Sequence, residues 1–450
     1  MGAEVEAGDH PDPSGLGHCL KKGGVGHQEH RGGHDGVADA QHPRDGGLHV
    51  PDFTEFKDNR GVDRALRLSL LEGLFAILFI NWSTGVLVTG YALSLGAGPQ
   101  ALALLGALPF LAQLAAPLAL LLKGSRKALA VRLNLLARSG FALALLLPLL
   151  PEGVRVPGLL LVSAFSQLLS APVGVLWLSW MADLVPPEKR GAYFGLRNAL
   201  LSLVGTLGNL LGGYMVDRLP RLGYPLVLGL GVLSGLLSVG VLRLQPEPRP
   251  APAAPPWPQL QAALSDRAYL RYLLLVLAWF LAVMLGGPFV VPYFLSWGGL
   301  SMTQVGLWTV VSASSGLLFG PLWGRVADRR GHAYVLFWTG LVAALMPLFW
   351  LSASAAFPWP IWASALLDAL AWSGLNPALT NLALGRAPAS ARNGYLALFW
   401  VALGLGGILG SLLAGGLSGP SRPTPYHLPI LASALARLLV VLWLFPRERA

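Results

Sequence analysis

The chain has 450 residues, 54% of them hydrophobic and only 12% charged, with 32 Lys and Arg against 22 Asp and Glu. So apolar a composition excludes a water-soluble domain of this length, and the basic balance takes its meaning from where the cations stand. Cys19 is the single cysteine, which excludes an intramolecular disulfide, and no Gly-Lys pair occurs, which excludes a Walker A phosphate loop.

Residues 1–61 are rich in Gly, Asp and His and contain no apolar run. Such a tail buries no core and is expected to be disordered. His27, His30 and His34 have a metal-like spacing, but the glycines between them argue against a helix, so no metal is assigned. The tail has no apolar h-region of a secretory signal, and the natural start is expected close to Val62.

From there twelve apolar stretches follow, each long enough to cross a bilayer core of about 30 Å at about 1.5 Å per residue. They are expected at residues 66–95, 99–122, 127–150, 156–183, 190–218, 222–243, 268–297, 302–324, 332–355, 358–384, 391–417 and 426–445. The long break, residues 245–266, is proline-dense and reads as a semi-rigid extended linker. It separates residues 62–244 from residues 267–450.

The loops alternate in charge. One side collects Lys123, Arg126, Lys127, Lys189, Arg190, Arg267, Arg271, Arg325, Arg329, Arg330, Arg386, Arg392, Arg447 and Arg449, and the other holds Arg155, Arg218, Arg221 and Arg422. This positive-inside asymmetry places both termini in the cytoplasm and accounts for the basic charge without nucleic acid. Arg outnumbering Lys, with Leu, Ala and Gly abundant, suits a GC-rich bacterium and hence its inner membrane.

The two halves repeat. Shifted by 202 residues, PPEKRGAYFGLRNALLSLVGTLGNLLGG lies over PASARNGYLALFWVALGLGGILGSLLAG, which matches Arg190 to Arg392, Tyr193 to Tyr395, Gly205 to Gly407 and Gly213 to Gly415. Spans 5 and 11 are therefore equivalent elements of a repeat. Gly208 and Gly212, and Gly406, Gly410 and Ala414, recur at helical spacing and let neighbouring backbones approach and slide.

Between spans 8 and 9 the sequence GPLWGRVADRRGHAY resembles the signature loop of the major facilitator superfamily, G-x-x-x-D-R-x-G. Gly324, Asp328, Arg329 and Gly331 match, whereas His332 and Ala333 stand where the family has basic residues. The equivalent first-half loop, PLALLLKGSRKALAV, departs from the pattern, with Gly124 where Asp328 would be. The resemblance implies an all-α membrane protein of twelve transmembrane helices in two pseudo-symmetric six-helix bundles, with spans 1, 2, 4, 5, 7, 8, 10 and 11 around a central cavity. It implies a transporter, not an enzyme, that works by rocking of the halves, with Asp328 latched against the positive end of span 5. GNLLGG, residues 208–213, is similar to the family's antiporter motif G-P-x-x-G-G with Asn209 for Pro, a pointer to efflux.

Ionisable residues at bilayer depth are candidate functional groups. Asp368 lies near the middle of span 10 and is the leading site for loading a proton or binding a cation, with Gln167 at the corresponding place in span 4. Glu72 reads as a gate ion pair with a basic group such as Arg67, or as a coupling acid. Arg197 binds an anion, pairs with Glu72 or Asp368, or snorkels to the interface, snorkelling being favoured; Arg138 and Arg437, on outer helices, pair or snorkel. Asn81, Gln113, Asn376 and Asn381 add polar groups, and Tyr91, Trp177, Trp279, Trp308, Trp372 and Trp400 are candidate cavity aromatics, or belt residues at the interface. GGPFVVPYF, residues 286–294, should loosen span 7 into a hinge.

An aromatic wall with few charges suits an amphipathic solute. The expectation is a monomeric secondary transporter without cofactor or metal, using a proton gradient to export small drug-like compounds. Uptake of a sugar or other nutrient is the alternative, and a non-transporting receptor or scaffold the alternative of another class. No His-Glu metal motif or nucleophile elbow stands in the spans.

Overall fold

The computed structural model describes residues 60–186, 189–247, 256–388, 390–419, 424–443 and 445. The expectations placed on residues 1–59, with Cys19 and the three histidines, and on Arg422, Arg447 and Arg449 lie outside them. Among the described residues every element is helical apart from one isolated bridge, Ser354 to Phe357.

Ten helices are long and apolar enough to cross a membrane: α1 (Asp63–Ser94), α2 (Pro99–Ala119), α3 (Arg126–Leu149), α4 (Glu152–Leu184), α5 (Arg190–Arg218), α6 (Gly223–Leu244), α7 (Arg267–Ser296), α8 (Met302–Arg330), α9 (His332–Leu351) and α11 (Arg392–Leu417). Two complete the set. α10 (Trp359–Arg386) has 28 residues but carries Asp368, Asn376 and Asn381, which lower its hydropathy. α12 (His427–Trp443) is apolar and shorter, at 17 residues. The chain is thus an all-α membrane protein whose helices fall where the hydropathy placed them.

Two helices break at matching places. α7 gives way at Gly286, passes through a short 3-10 turn at Gly287–Phe289 and resumes at Val290–Ser296, in the segment expected to loosen. α1 breaks unexpectedly at Gly85, where the hydroxyls of Ser83 and Thr84 both turn back to the carbonyl of Ile80, at 3.4 and 2.7 Å. Such back-bonding loosens a helix, and a glycine beside it completes the break. The 202-residue offset of the repeat carries Gly85 onto Gly287.

The linker departs from expectation. Pro256–Ser265 is a helix, because proline is tolerated in a first turn and QLQAAL is built from good helix formers. It lies on the start of α11, where Gly394 sits directly against the backbone of Gln259 and Leu260. Asp266 then caps α7, accepting hydrogen bonds from the Ala268 and Tyr269 amides at 3.0 Å and from the Tyr395 hydroxyl at 3.0 Å. Those donors, the Tyr269 amide first, hold its carboxyl below the usual range.

Packing follows the repeat. In the first half α1 meets α5 and α6, and α4 meets α2 and α3; in the second, α7 meets α11 and α12, and α10 meets α8 and α9. The halves join most extensively through α2 with α11 and α5 with α8. The small-residue rows act within a half: Gly406 and Gly410 of α11 rest on the backbone carbonyls of Leu277 and Leu281 in α7, and Gly208 and Gly212 of α5 rest on Leu78 and Leu87 of α1. They clamp helices together, where sliding was expected.

A methyl at Gly410 meets backbone that has nowhere to go. Gly410→Ala is expected to destabilise the fold by about 1–3 kcal/mol. Gly416→Ala, where nothing lies within 4 Å of the new methyl, should stay within about 0.5 kcal/mol. Melting of both variants in one detergent checks the difference.

Candidate functional site

The halves meet at the end of the helices away from the linker. There Asp217, at the close of α5, reaches across to cap α8: its carboxylate accepts from the Met302 and Thr303 amides at 3.1 and 2.7 Å and from the Thr303 hydroxyl at 2.5 Å. Gly213 backs onto the main chain of Met302, and Gln100 of α2 donates to the Ser418 carbonyl beyond α11 at 3.0 Å. The outer pieces of α1 and α7 also touch. Nothing in the sequence marks Asp217, an acid at a helix end whose partner is 85 residues away.

At the linker end the same helices stand free. Nothing lies within 4 Å of a methyl built on Gly191 or Gly195 of α5, or on Gly316, Gly320 or Gly324 of α8. Asp328, Arg329 and Arg330 are exposed, and among the described residues Asp328 makes no hydrogen bond or ion pair. Gly331 has φ of +83°, the left-handed turn that glycine permits, and it separates α8 from α9. In the first-half loop, where Gly124 replaces the aspartate, Arg126 does the anchoring: it pairs with Asp183 at 2.6 Å and with Glu247 at 3.7 Å. Neither acid stands out in the sequence.

Between these ends the first half buries a charged cluster. Glu72 of α1 is 5% exposed; its carboxylate faces the Arg197 guanidinium of α5 at 3.6 Å and accepts from the Ser238 hydroxyl of α6 at 3.4 Å. Arg138 of α3, similarly buried, donates to the Gly235 carbonyl at 2.6 Å and to Ser238. Arg197 lies over the Trp177 ring of α4, 4.2 Å from its centroid, a cation–π contact. Gly73 makes room, since a side chain there would meet the guanidinium at 2.6 Å. So Glu72 pairs with Arg197, not Arg67, and Arg197 turns inward where snorkelling was favoured. The cluster walls a cavity of about 670 Å³, counting its open mouth.

The second half carries a counterpart. Asp368 of α10 accepts from the Ser312 hydroxyl of α8 at 2.5 Å, with Trp372 one turn on and Arg437 of α12 close enough to act on its charge. Arg437 of α12 is 1% exposed and donates to the carbonyls of Ala343 in α9 and Val283 in α7, at 2.8 and 3.2 Å. The repeat offset carries Gly235 onto Arg437 and Arg138 onto Gly340. Each half therefore buries one arginine between its third and sixth helices, supplied from opposite partners.

The remaining candidates divide. Trp177 lines the cavity, Trp372 touches Asp368, Trp400 is exposed, and Trp308 donates to the Ile361 carbonyl at 2.9 Å. Tyr91 and Trp279 do not line a cavity: Tyr91 is 2% exposed with its hydroxyl on the Ala144 carbonyl, and Trp279 is fully buried against Phe445. Both sit on the faces of α1 and α7 that look into their own half. Asn81 packs on Gly205, Gln167 is buried in α4, and Asn376 and Asn381 are exposed on α10. The Gln113 side-chain carbonyl is buried without a partner.

Residues 70–411 and 289–450 match the profile described as Major Facilitator Superfamily. Among solved structures, a singly substituted form of the nucleoside transporter NupG superposes with a TM-score of 0.69 at 14% identity, over 84% of this chain and 98% of that one. A bacterial homologue of the iron transporter ferroportin in an inward-facing state gives 0.66 at 16%, over 86% and 99%. A D-xylose-proton symporter gives 0.64 at 16%, over 86% and 98%. No curated protein matches the sequence significantly.

Proposed function

The chain belongs to the major facilitator superfamily, and we propose that it is a proton-coupled secondary active transporter that exports small amphipathic compounds by alternating access. The observation that carries this reading is the pair of acids at bilayer depth, Glu72 buried in one half and Asp368 part-buried in the other, in a molecule held together at one end and open at the other. An acid at bilayer depth is costly unless it works, and a proton taken from one side and released to the other is work it can do. The positive-inside asymmetry makes the linker end cytoplasmic, in a bacterial inner membrane, and so makes this conformation inward-open. We assign residues 62–244 and 267–450 as the two moving bundles.

Asp328 then takes its latch position only when the linker end closes, on the N-terminus of α5. The aromatic side chains Trp177, Trp372 and Trp400, with few charges between them, favour an amphipathic cargo. Uptake of a nutrient is the second reading. One observation favours it: protonating Glu72 releases Arg197, so a proton and an anionic solute would bind together and travel the same way.

Asp368→Asn tests the coupling. In proteoliposomes under an imposed pH gradient, a panel of neutral, cationic and anionic amphipathic dyes should include one that the natural protein moves against its concentration gradient. The substitution should abolish that uphill movement and spare downhill exchange. Uphill flux that survives removes Asp368 from the coupling scheme.

A further inference from the structure

Three side chains that line the first-half cavity each carry a buried donor with nothing to bond. The Arg138 Nε, the Arg197 Nε and the Trp177 indole N–H have no acceptor, and all three side chains line the same space. Among its lining residues no buried acceptor is left unbonded. A cavity short of acceptors is complementary to a ligand that brings oxygen atoms, since each buried donor left unpaired is costly.

The fixed charge points the same way. Glu72 supplies one negative charge against two arginines, and Glu72 itself occupies Arg197 at 3.6 Å, longer than a good charge-assisted hydrogen bond. That carboxylate is an internal substitute for an external one. Around it stand Arg138 from α3, Arg197 and Tyr193 from α5 and Ser238 from α6; among the described residues no second acid faces it. Trp177, Phe79 and Ile80 give the wall an apolar stretch, beside the polar Asn134 and Ser170.

We propose that this cavity binds an amphipathic organic oxyanion, its oxygens on Arg197, Trp177 and Arg138 and its apolar body on the aromatic wall. Arg197 is the residue that selects charge, and Glu72 competes with the ligand for it. The inference rests on the transporter reading for its purpose and is independent of the direction of transport.

The test is equilibrium binding to the full chain in lipid nanodiscs, with benzoate and 2-naphthoate set against their amides and their amines. At least one acid should bind, about tenfold or more tighter than its amide, and the amine weaker still. Glu72→Gln keeps the shape and removes the competing charge, so it should tighten the acid about tenfold. A gain of that kind does not arise from misfolding. Arg197→Gln should abolish acid binding, and Arg197→Lys should restore part of it. Binding of neither acid, amides or amines that bind as well as acids, or a Glu72→Gln variant that leaves acid affinity unchanged would each overturn the proposal. Counterflow in proteoliposomes separates the two readings: acid binding without counterflow of any compound removes the transporter and leaves the oxyanion site, while counterflow of the amines alone does the reverse.

Discussion

Replacing Arg138 by glutamine should destabilise the protein by about 1–3 kcal/mol, the range for leaving a buried acceptor without its partner. The guanidinium holds the Gly235 carbonyl at 2.6 Å and shares Ser238 with Glu72, so its loss strands a backbone acceptor and leaves the carboxylate to Arg197 alone. Arg437→Gln should behave alike, because it strands two carbonyls, Ala343 and Val283, and deprives Asp368 of the cation whose charge it feels. Arg197→Gln should cost less, since Arg197 is less buried than Arg138 and the Glu72 carboxylate keeps Ser238. The double variant separates charge from packing. Glu72→Gln with Arg138→Gln should be more stable than the sum of the single losses, because the second change removes the charge that the first left unpaired. Melting in detergent measures the cycle, and simple additivity would mean that Arg138 acts through packing, not charge.

What the sequence made legible depended on composition and period. Span positions, the repeat and the turn at Gly331 follow from apolar runs, a constant offset and a glycine, all of which are local. What it hid depends on how each helix is rotated about its axis. Tyr91 and Trp279 lie on cavity helices yet face inward to their own half, and Arg138 lies on an outer helix yet reaches Ser238, which also bonds Glu72. Assigning a residue to a helix says nothing about which neighbour it meets. Gly73 beside Glu72 was the available clue to Arg197, since only a glycine leaves a guanidinium that much room. The helix in the linker was hidden for another reason: prolines dominate the composition there, but two of them, Pro256 and Pro258, stand in the first turn of a helix, where proline does no harm.

Replacing Gly320 by tryptophan should stop transport altogether in a protein that still folds. Gly213 and Gly306 are the close-contact points of α5 and α8 at the sealed end, where a methyl built on Gly306 would stand 2.9 Å from the Leu210 backbone and one on Gly213 would meet the backbone of Met302. Eighteen residues is five turns of a helix, so Gly195 lies on the same face as Gly213, and Gly324 on the same face as Gly306. The helices run antiparallel. Stepping five turns from each contact therefore sets Gly195 opposite Gly320 and Gly191 close to Gly324, a second seam of small residues that in this conformation touches nothing. Closing the linker end would join it, and a tryptophan at Gly320 would hold it apart. Exchange flux should fall to background, while size-exclusion behaviour and the melting temperature stay near those of the natural protein, because the site is empty. The complementary change is Gly195→Cys with Gly320→Cys in a chain whose Cys19 is replaced by serine. Mild oxidation should cross-link this pair and arrest exchange, and reductant should restore it. A Gly320→Trp variant that exchanges solute normally, or a cysteine pair that never cross-links during turnover, would show that α5 and α8 do not meet along this seam.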